Sequence, residues 1–477
     1  MKAVERVVVT GMGAVTPLGT DLPSTWQRLI NGEDAARPVT LFDVSECRCQ
    51  IAAEAKLPDL PGLSHKKLSR LSRASRLALP AACQALRQAG LLLQDSALSA
   101  QRSALRMLPM SISTTGGAME LGQKFARGCF KGGKSPGRLF HGARYQAQHQ
   151  IRDLQEFFDF QGPATVIANA CASGANSVGH ASDLIRSGRY ECVLTGGYEA
   201  LAELIYVGFD CLQALTRDRC RPFDRNRSGL MLGEGAAFLV LESESHARKR
   251  GAGILCELAG YGHSTDPHHL TQPNPAGPAL VAAMRMALTQ AQLFSEQIGY
   301  VNAHGTGTPL NDASECAAMN ALFGDHGSIS THGSTSLAPR LRSGRDLSLP
   351  KRLATLSASR TGHDPEQSRM DHSPGVRMSS TKAAIGHTLG AAGSIEAIFA
   401  IQALITGNLP PQINTREPEP LLRQRLAAAG ERCPDLQAVM SANLGFGGSN
   451  AALIFTRYEG SLSQDKKRVA QSVAAIT

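Results

Sequence analysis

The amino-acid sequence predicts an α/β fold, because short apolar runs typical of buried strands alternate along the chain with segments of helical spacing. Of the 477 residues, 42% are hydrophobic, which is enough to build one or two sizeable cores. The 47 glycines are typical of a protein in which backbones pack closely and turns line a channel. Together these observations indicate a large soluble enzyme.

Each predicted strand is a short apolar run, and each predicted helix repeats its apolar residues every three or four positions. The strands predicted in the first half are Val7–Val9, Val166–Ile167, Cys192–Thr195 and Phe238–Leu241. Those predicted in the second half are Val301, Val376–Ser379, Val439–Ala442 and Ala452–Phe455. The predicted helices are Ser24–Asn31, Ser75–Ala89, Asn176–Ser187, Gly277–Gln290, Asp312–Leu322 and Ser394–Ile405.

Cys171 stands at the junction between a predicted strand and the helix that follows it. The apolar run Ala164–Ala168, bounded by Gly162-Pro163, predicts a short buried strand, and Asn176–Ser187 has helical spacing. The sulfur would then face a helix N-terminus, where unpaired N–H groups and the helix dipole favour a thiolate nucleophile. A small buried cysteine in a helix cap is the alternative, and Cys171 alone does not decide between the two.

Two later segments favour the catalytic interpretation. His304 follows the predicted strand at Val301 and opens into a turn of glycines and threonines. Lys382 and His387 share a second turn of small residues that leads into another predicted helix. Either histidine alone is better explained as a structural hydrogen-bonding residue. One cysteine and two histidines, all at such turns, indicate a common site.

These segments resemble the β-ketoacyl-acyl-carrier-protein synthases of the thiolase superfamily, particularly the type II elongating enzymes. Further motifs of that family follow in its order: Val7–Gly19, Arg221–Asp224, Leu232–Ala236 and Asn443–Asn450. The resemblance implies a pseudo-duplicated, five-layer αβαβα fold, with an N-terminal half at residues 1–256 and a C-terminal half at 257–458. It also implies a dimer, with the active site between the halves and the strand Ala164–Ala168 near the two-fold axis.

The resemblance assigns roles to individual residues. Cys171 would take up the acyl group, and His304 and His387 would stabilise the enolate left when malonyl-carrier protein loses carbon dioxide. Lys382 would orient His387, with Glu396 as its carboxylate partner. The remaining expected site residues are Phe446 as a gate and backbone oxyanion donor beside Cys171, and Thr306 and Thr308 as ligands of the phosphopantetheine arm.

No cofactor and no metal are expected, because decarboxylation supplies the driving force and the substrates arrive on the phosphopantetheine of an acyl carrier protein. The formal net charge of +9 fits an acidic carrier protein. The single tryptophan and the lack of aromatic–basic alternation argue against nucleic acid. Expected docking positions fall in two basic clusters, one with Lys66, Lys67, Arg70 and Arg73 and one with Lys131, Lys134 and Arg144.

The expected reaction is the decarboxylative Claisen condensation of fatty-acid or polyketide and polyene biosynthesis. Two alternatives stay open: the catalytic subunit of a heterodimer with a chain-length factor, and a biosynthetic thiolase, which the histidine pair disfavours. Residues 327–375 form an insertion relative to the family and are expected to be a disordered loop, with partner docking as the alternative. Residues 459–477 are expected to be a polar tail.

The expected location is the cytoplasm. The 11 cysteines are scattered without metal-ligand spacing, which is typical of reduced thiols in a cytosolic protein. No apolar run is expected to reach the length of a transmembrane helix, and the charged N-terminus is unlike a secretory signal.

Overall fold

The structure is a computed structural model that describes residues 5–60, 63–92, 105–130, 136–324, 375–423 and 425–458. Of the expected insertion at 327–375, only Gly375 lies within the described residues. The expected tail at 459–477 and the docking candidates Lys131 and Lys134 lie outside them.

Within the described residues, ten strands form one mixed sheet, and two short strands, β2 (Arg37–Pro38) and β3 (Ile51–Ala52), form a separate antiparallel pair. The order across the large sheet is β10-β9-β11-β12-β8-β1-β7-β6-β4-β5. Its strands are β1 (Val7–Val15), β4 (Met110–Ser113), β5 (Ala164–Ile167), β6 (Cys192–Glu199), β7 (Gly235–Ser243), β8 (Cys256–Thr265), β9 (Ile298–Asn302), β10 (Arg377–Ser379), β11 (Ala438–Leu444) and β12 (Ser449–Thr456).

The helices in the described residues flank this sheet or connect its strands. They are α1 (Leu22–Ile30), α2 (His65–Leu68), α3 (Arg73–Gln88), α4 (Met119–Phe130), α5 (Pro136–Arg144), α6 (Ala147–Phe158), α7 (Ser173–Arg186), α8 (Glu203–Cys211), α9 (Glu244–Lys249), α10 (Pro278–Ala291), α11 (Pro309–Phe323), α12 (Lys382–Ile385) and α13 (Ala392–Thr406).

The sheet consists of two five-stranded halves that repeat the same arrangement. The halves meet where β1 and β8 pair antiparallel, at Val8–Glu257 and Val9–Cys256. Outward from this junction, each half has two antiparallel pairings followed by two parallel ones. The duplication expected from the family resemblance is therefore visible in the strand directions.

The helices add three layers to the two half-sheets. α7 packs on β4 and β6, α13 packs on β9 and β11, and the two helices contact each other in the middle of the molecule. α3 covers β1 and β7 on one outer face, and α10 covers β8 and β12 on the other. α7 and α13 approach each other closely because Gly174 has no side chain. A Cβ at that position would lie 2.6 Å from the backbone nitrogen of Ser394. The order of layers is αβαβα, as expected.

All predicted strands and helices are present, and their bounds lie within a few residues of the predicted ones except at β1, which ends at Val15 and not at Val9. The sequence patterns missed strands β2, β3, β4 and β8 and helices α2, α4 to α6, α8, α9 and α12. One prediction about burial was wrong. The strand at Ala164–Ile167 was expected to be buried, but β5 is the edge strand of the sheet, and Ala164 and Thr165 are exposed in the single chain.

The expectation about membrane-length segments was also wrong. In the described part of the chain, one helical stretch of 18 residues, Leu389–Thr406, is long and apolar enough to cross a membrane, with a mean hydropathy of 1.6. It contains α13, and 83% of it is buried inside the protein. Its composition follows from its place as the middle layer between two half-sheets, where every face of a helix is apolar.

Candidate active site

Cys171 lies on a sharp turn between β5 and α7. Ala170, the residue before it, has a left-handed backbone with φ of 59°, and a single 3₁₀ turn, Ala170–Ala172, leads into the helix. The hydroxyl of Ser173 fastens this turn, since it accepts from the N–H of Asn169 at 2.8 Å and donates to the carbonyl of Ala170 at 2.5 Å. Cys171 is therefore held by backbone geometry at the junction of the two halves, with 7% of its surface exposed.

His387 lies in the corresponding turn of the second half, two residues before Leu389, between β10 and α13. There too a left-handed residue, Leu389 with φ of 46°, begins a 3₁₀ turn that leads into the helix. The internal duplication explains why the two turns meet, because α7 and α13 start side by side. His387 Nε2 lies 3.0 Å from Cys171 Sγ.

His304 is the third residue of this group and lies in the turn after β9. Its ring centroid lies 5.3 Å from that of His387, and the two rings are nearly perpendicular, at 87°. The ligand atoms of Cys171, His304 and His387 all lie within 4.8 Å of one another. The structure thus brings together three residues that are up to 216 positions apart in the sequence.

Hydrogen bonds to the Nδ1 atoms determine the tautomer of both histidines. The backbone N–H of Leu389 donates to His387 Nδ1 at 3.2 Å, and Lys382 Nζ lies 3.2 Å from His304 Nδ1. Because each Nδ1 accepts, each Nε2 carries the ring proton. Burial lowers the pKa of both imidazoles well below the usual value, and the Lys382 charge lowers it further. Both rings are therefore neutral Nε2–H donors.

This tautomer does not fit a metal ion, although the spacing of the three residues resembles a ligand set. A metal bound by the ring nitrogens that face Cys171 would need a lone pair on each of them, whereas the hydrogen bonds to Nδ1 favour the tautomer with the ring proton on Nε2. The site is built to donate hydrogen bonds toward its centre.

Lys382 is fully buried and bonds to His304, whereas the sequence analysis expected it to orient His387. Its ammonium contacts the His304 carbonyl at 2.6 Å and pairs with the carboxylate of Glu396. Burial raises the pKa of Glu396, and the Lys382 charge opposes that rise. The role expected for Lys382 is corrected for a simple reason: the Nδ1 atom of His387 already takes its hydrogen bond from the backbone of Leu389, two residues along the chain.

The pKa expected for Cys171 is also corrected. Burial raises the pKa of this thiol to about 11, although the Lys382 charge and a hydrogen bond from the backbone N–H of Phe446 lower it. Desolvation is the largest of these effects at a site this deeply enclosed. In the free protein, Cys171 is therefore a neutral thiol at pH 7.

Phe446 lines the same cavity as Cys171 and the two histidines, in a glycine turn where Gly447 has φ of 79°. Its ring is 38% exposed and stacks on Phe209 of α8, with centroids 5.9 Å apart. Thr306 and Thr308, whose hydroxyls lie 2.9 Å apart, line the same cavity of about 320 Å³. All the expected core residues of the site thus face one cavity or lie directly behind it.

The sequence analysis missed three buried carboxylates that shape the turns around this cavity. Glu315 accepts from the backbone N–H groups of His304 and Gly305, both at 2.7 Å. Asp312 accepts from Thr306 at 3.0 Å and from Gly307 at 3.1 Å. Both lie in the first two turns of α11, directly after the histidine turn, and an acidic pair at that spacing was the available signal. The third, Glu199, ends β6.

The docking candidates that can be placed differ in exposure. Lys66, Lys67 and Arg70 are exposed on α2 and the turn after it. Arg73, from the same basic cluster, forms an ion pair with the fully buried Glu234. Arg144, from the other cluster, pairs with Asp153 at 2.6 Å. Because these two arginines form ion pairs within the protein, we no longer expect them to contribute to the docking surface.

Known proteins are similar to this chain over nearly its whole length. The sequence model of the β-ketoacyl synthase N-terminal domain matches residues 4–247, and that of the C-terminal domain matches 255–336 and 365–416. Nodulation protein E of Rhizobium meliloti (strain 1021) is 32% identical, covering 94% of this chain and 98% of the relative. The mitochondrial 3-oxoacyl-[acyl-carrier-protein] synthase of Arabidopsis thaliana is also 32% identical, covering 94% and 93%.

Two solved structures share the fold at 30% identity. The ishigamide ketosynthase/chain length factor superposes with a TM-score of 0.78 over 96% of this chain and 100% of its own. A β-ketoacyl synthase from Burkholderia phymatum STM815 superposes with a TM-score of 0.77 over 95% and 100%. With both family domains matched in order, this chain belongs to the β-ketoacyl synthase family and is an acyltransferase with the thiolase-like fold.

Proposed function

We propose that this protein joins a Cys171-bound acyl group to the carbon that malonyl-carrier protein exposes on losing carbon dioxide. The observation that carries the proposal is the convergence of one thiol and two Nε2–H donors on a single enclosed cavity. A hydrolase would need a base to activate water, and neither imidazole has a free ring nitrogen facing the cavity. Two aligned donors instead suit an oxygen that becomes negatively charged during the reaction.

In the first half-reaction, Cys171 loses its thiol proton and attacks the thioester carbonyl of the incoming acyl group; the bond between that carbonyl and the carrier sulfur breaks, and the carrier sulfur leaves with the proton as a thiol. Because the free thiol has a raised pKa, the attacking thiolate needs stabilisation. The N–H of Phe446 and the nearby Lys382 charge favour it, as does the Nε2–H of His387 at 3.0 Å. The N–H groups of Cys171 and Phe446 would then receive the tetrahedral oxyanion.

In the second half-reaction, the thioester carbonyl of the malonyl group accepts from His304 and His387. Loss of carbon dioxide leaves an enolate whose oxygen both donors stabilise. Its carbon attacks the acyl thioester on Cys171, the C–S bond breaks, and a β-ketoacyl thioester two carbons longer leaves on the carrier. No step requires a metal or a redox cofactor. Thr306 and Thr308 line the cavity where the pantetheine arm would lie.

The proposed carrier partner is an acidic acyl carrier protein that docks on Lys66, Lys67 and Arg70. These exposed cations complement the negative charge expected of the carrier. Lys131 and Lys134 stay a proposal from the sequence alone. We further propose that the enzyme acts in the cytoplasm as a dimer.

A second candidate is a ketosynthase subunit that pairs with a chain-length factor. The exposed edge of β5 favours pairing with another chain, since an unpaired strand edge is normally covered. The matched structures include a ketosynthase in complex with its chain length factor, at 25% identity. Purifying the chain alone and measuring its mass in solution, with and without elongation activity, separates the homodimer from the heterodimer.

Reconstitution tests the reaction itself. Purified protein is incubated with malonyl-carrier protein and acyl-carrier proteins of graded length, and the products are identified by mass spectrometry. The proposal predicts β-ketoacyl-carrier products two carbons longer and release of one carbon dioxide per product. Free fatty acid without chain extension would instead indicate a hydrolase. The chain lengths accepted would separate fatty-acid elongation from a specialised polyketide or polyene pathway.

A further inference from the structure

Glu199 is a fully buried carboxylate behind the active site, to which the proposed chemistry assigns no part. It is the last residue of β6. Its oxygens accept from the backbone N–H groups of Thr115 and Gly116, both at 2.7 Å, and of Gly117 at 3.1 Å. The N–H of Gly390 donates to it as well, at 3.0 Å. In the described part of the chain, no cation is among its hydrogen-bond partners.

These bonds join two separate turns. The turn Thr114–Gly117 follows β4 in the first half, and Gly390 lies in the turn that carries His387 in the second half. The two backbones touch: a Cβ on Gly390 would lie 2.4 Å from the backbone nitrogen of Thr115. Glu199 is the shared acceptor at this contact, and the Ser113 hydroxyl adds a bond to the Gly390 carbonyl at 2.9 Å.

Two consecutive peptide groups connect Glu199 to His387. Leu389, directly before Gly390, donates its N–H to His387 Nδ1 at 3.2 Å and has a left-handed backbone. A leucine adopts that conformation only where its surroundings hold it. The carboxylate of Glu199 holds the next N–H in the chain, so it fixes the orientation of the Leu389–Gly390 segment.

We propose that Glu199 is a positioning residue for His387. By holding Gly390, it keeps the Leu389 N–H on Nδ1, and this keeps the ring proton on Nε2, facing Cys171. This inference rests on the function proposed for His387. An uncharged amide at position 199 would place an NH₂ group against backbone donors, so the isosteric glutamine cannot reproduce the site.

A double-mutant cycle tests the inference. Glu199→Gln, His387→Ala and the combined variant are compared for malonyl-carrier decarboxylation, with kcat and KM measured separately. We expect Glu199→Gln to lower kcat on the order of 10- to 100-fold, as for a misplaced catalytic group, with KM unchanged. In the His387→Ala background it should cause no further loss. Additive losses in the cycle, or an unchanged kcat, would overturn the inference.

A control and a second variant keep the outcome clear. Glu242→Gln removes another fully buried carboxylate, which bonds to Arg250 far along the β6–β7 pair, and should leave kcat unchanged. If Glu199→Gln fails to fold, Glu199→Asp keeps the charge but shortens the reach by one methylene, and it enters the same cycle. If His387→Ala itself keeps full decarboxylation, the proposed function fails. If the Glu199 variants are fully active while His387→Ala is inactive, the inference about Glu199 is wrong and the proposed function stands.

Discussion

Replacing Lys382 by methionine separates the stabilising role of this residue from its chemical one. Lys382 and Glu396 are 1% and 2% exposed, and each is the other's charged partner. Removing one member of a buried pair leaves the other charge uncompensated, which typically costs about 3 to 5 kcal/mol of unfolding free energy. Lys382→Met should therefore lower the free energy of unfolding by about that amount, measured by chemical denaturation.

The same substitution removes the donor at His304 Nδ1. The ring is then free to move its proton to Nδ1, which converts Nε2 from a donor into an acceptor. Loss of one oxyanion donor typically lowers kcat on the order of 10²- to 10³-fold. Condensation by Lys382→Met should fall by that factor, measured with malonyl- and acyl-carrier proteins at a temperature where the variant is folded.

The double variant Lys382→Met, Glu396→Gln distinguishes the two effects. It has no unpaired charge, so it should regain most of the lost stability, and the glutamine can still accept from Asn443 as Glu396 does. It still lacks the donor to His304, so condensation should stay low. Recovery of condensation together with stability would refute the chemical role of Lys382 and leave it a purely structural residue.

Three further predictions concern Cys171 and its surroundings. Cys171→Ala should fold normally and form no acyl-enzyme by intact-protein mass spectrometry; an acylated variant would exclude this nucleophile. Because the thiol pKa is raised to about 11, alkylation of Cys171 by iodoacetamide should accelerate about tenfold per pH unit from pH 7 to 10. A rate independent of pH in that range would contradict the raised pKa. Phe446→Ala removes the ring stacked on Phe209 but keeps the backbone N–H, so Cys171 should still be acylated while condensation falls about tenfold; equal loss in both steps would contradict a gating role.

The fold was predictable from the sequence where a segment contains an uninterrupted apolar run. α13 and the strands β6, β7, β11 and β12 are almost wholly buried, so each contains such a run. β4 was missed because serines alternate with apolar residues in its four positions. β5 was misjudged as buried, since a sequence pattern does not distinguish an edge strand from a central one.

The residues that form the site were predictable from the sequence, but the contacts between them were not. Cys171, His304 and His387 stand out because each follows a strand and is surrounded by small residues. Glu396 was predicted as the carboxylate partner of Lys382. The histidine that Lys382 contacts was not predictable, because the backbone N–H of Leu389 occupies the Nδ1 of His387, which no side-chain motif reveals. Glu199 was missed for the same reason, since all but one of its contacts are to backbone N–H groups.

Separating the two half-reactions in His304→Ala and His387→Ala tests the central claim most directly. Each variant is first incubated with acyl-carrier protein, and the mass added to Cys171 is recorded. Malonyl-carrier protein is then supplied, and carbon dioxide and β-ketoacyl product are measured. Convergent Nε2–H donors predict that acylated Cys171 still forms, more slowly in His387→Ala because that ring also stabilises the thiolate, while carbon dioxide release and product fall on the order of 10²- to 10³-fold in both variants. Normal carbon dioxide release from either variant would contradict stabilisation of the enolate by the two imidazoles.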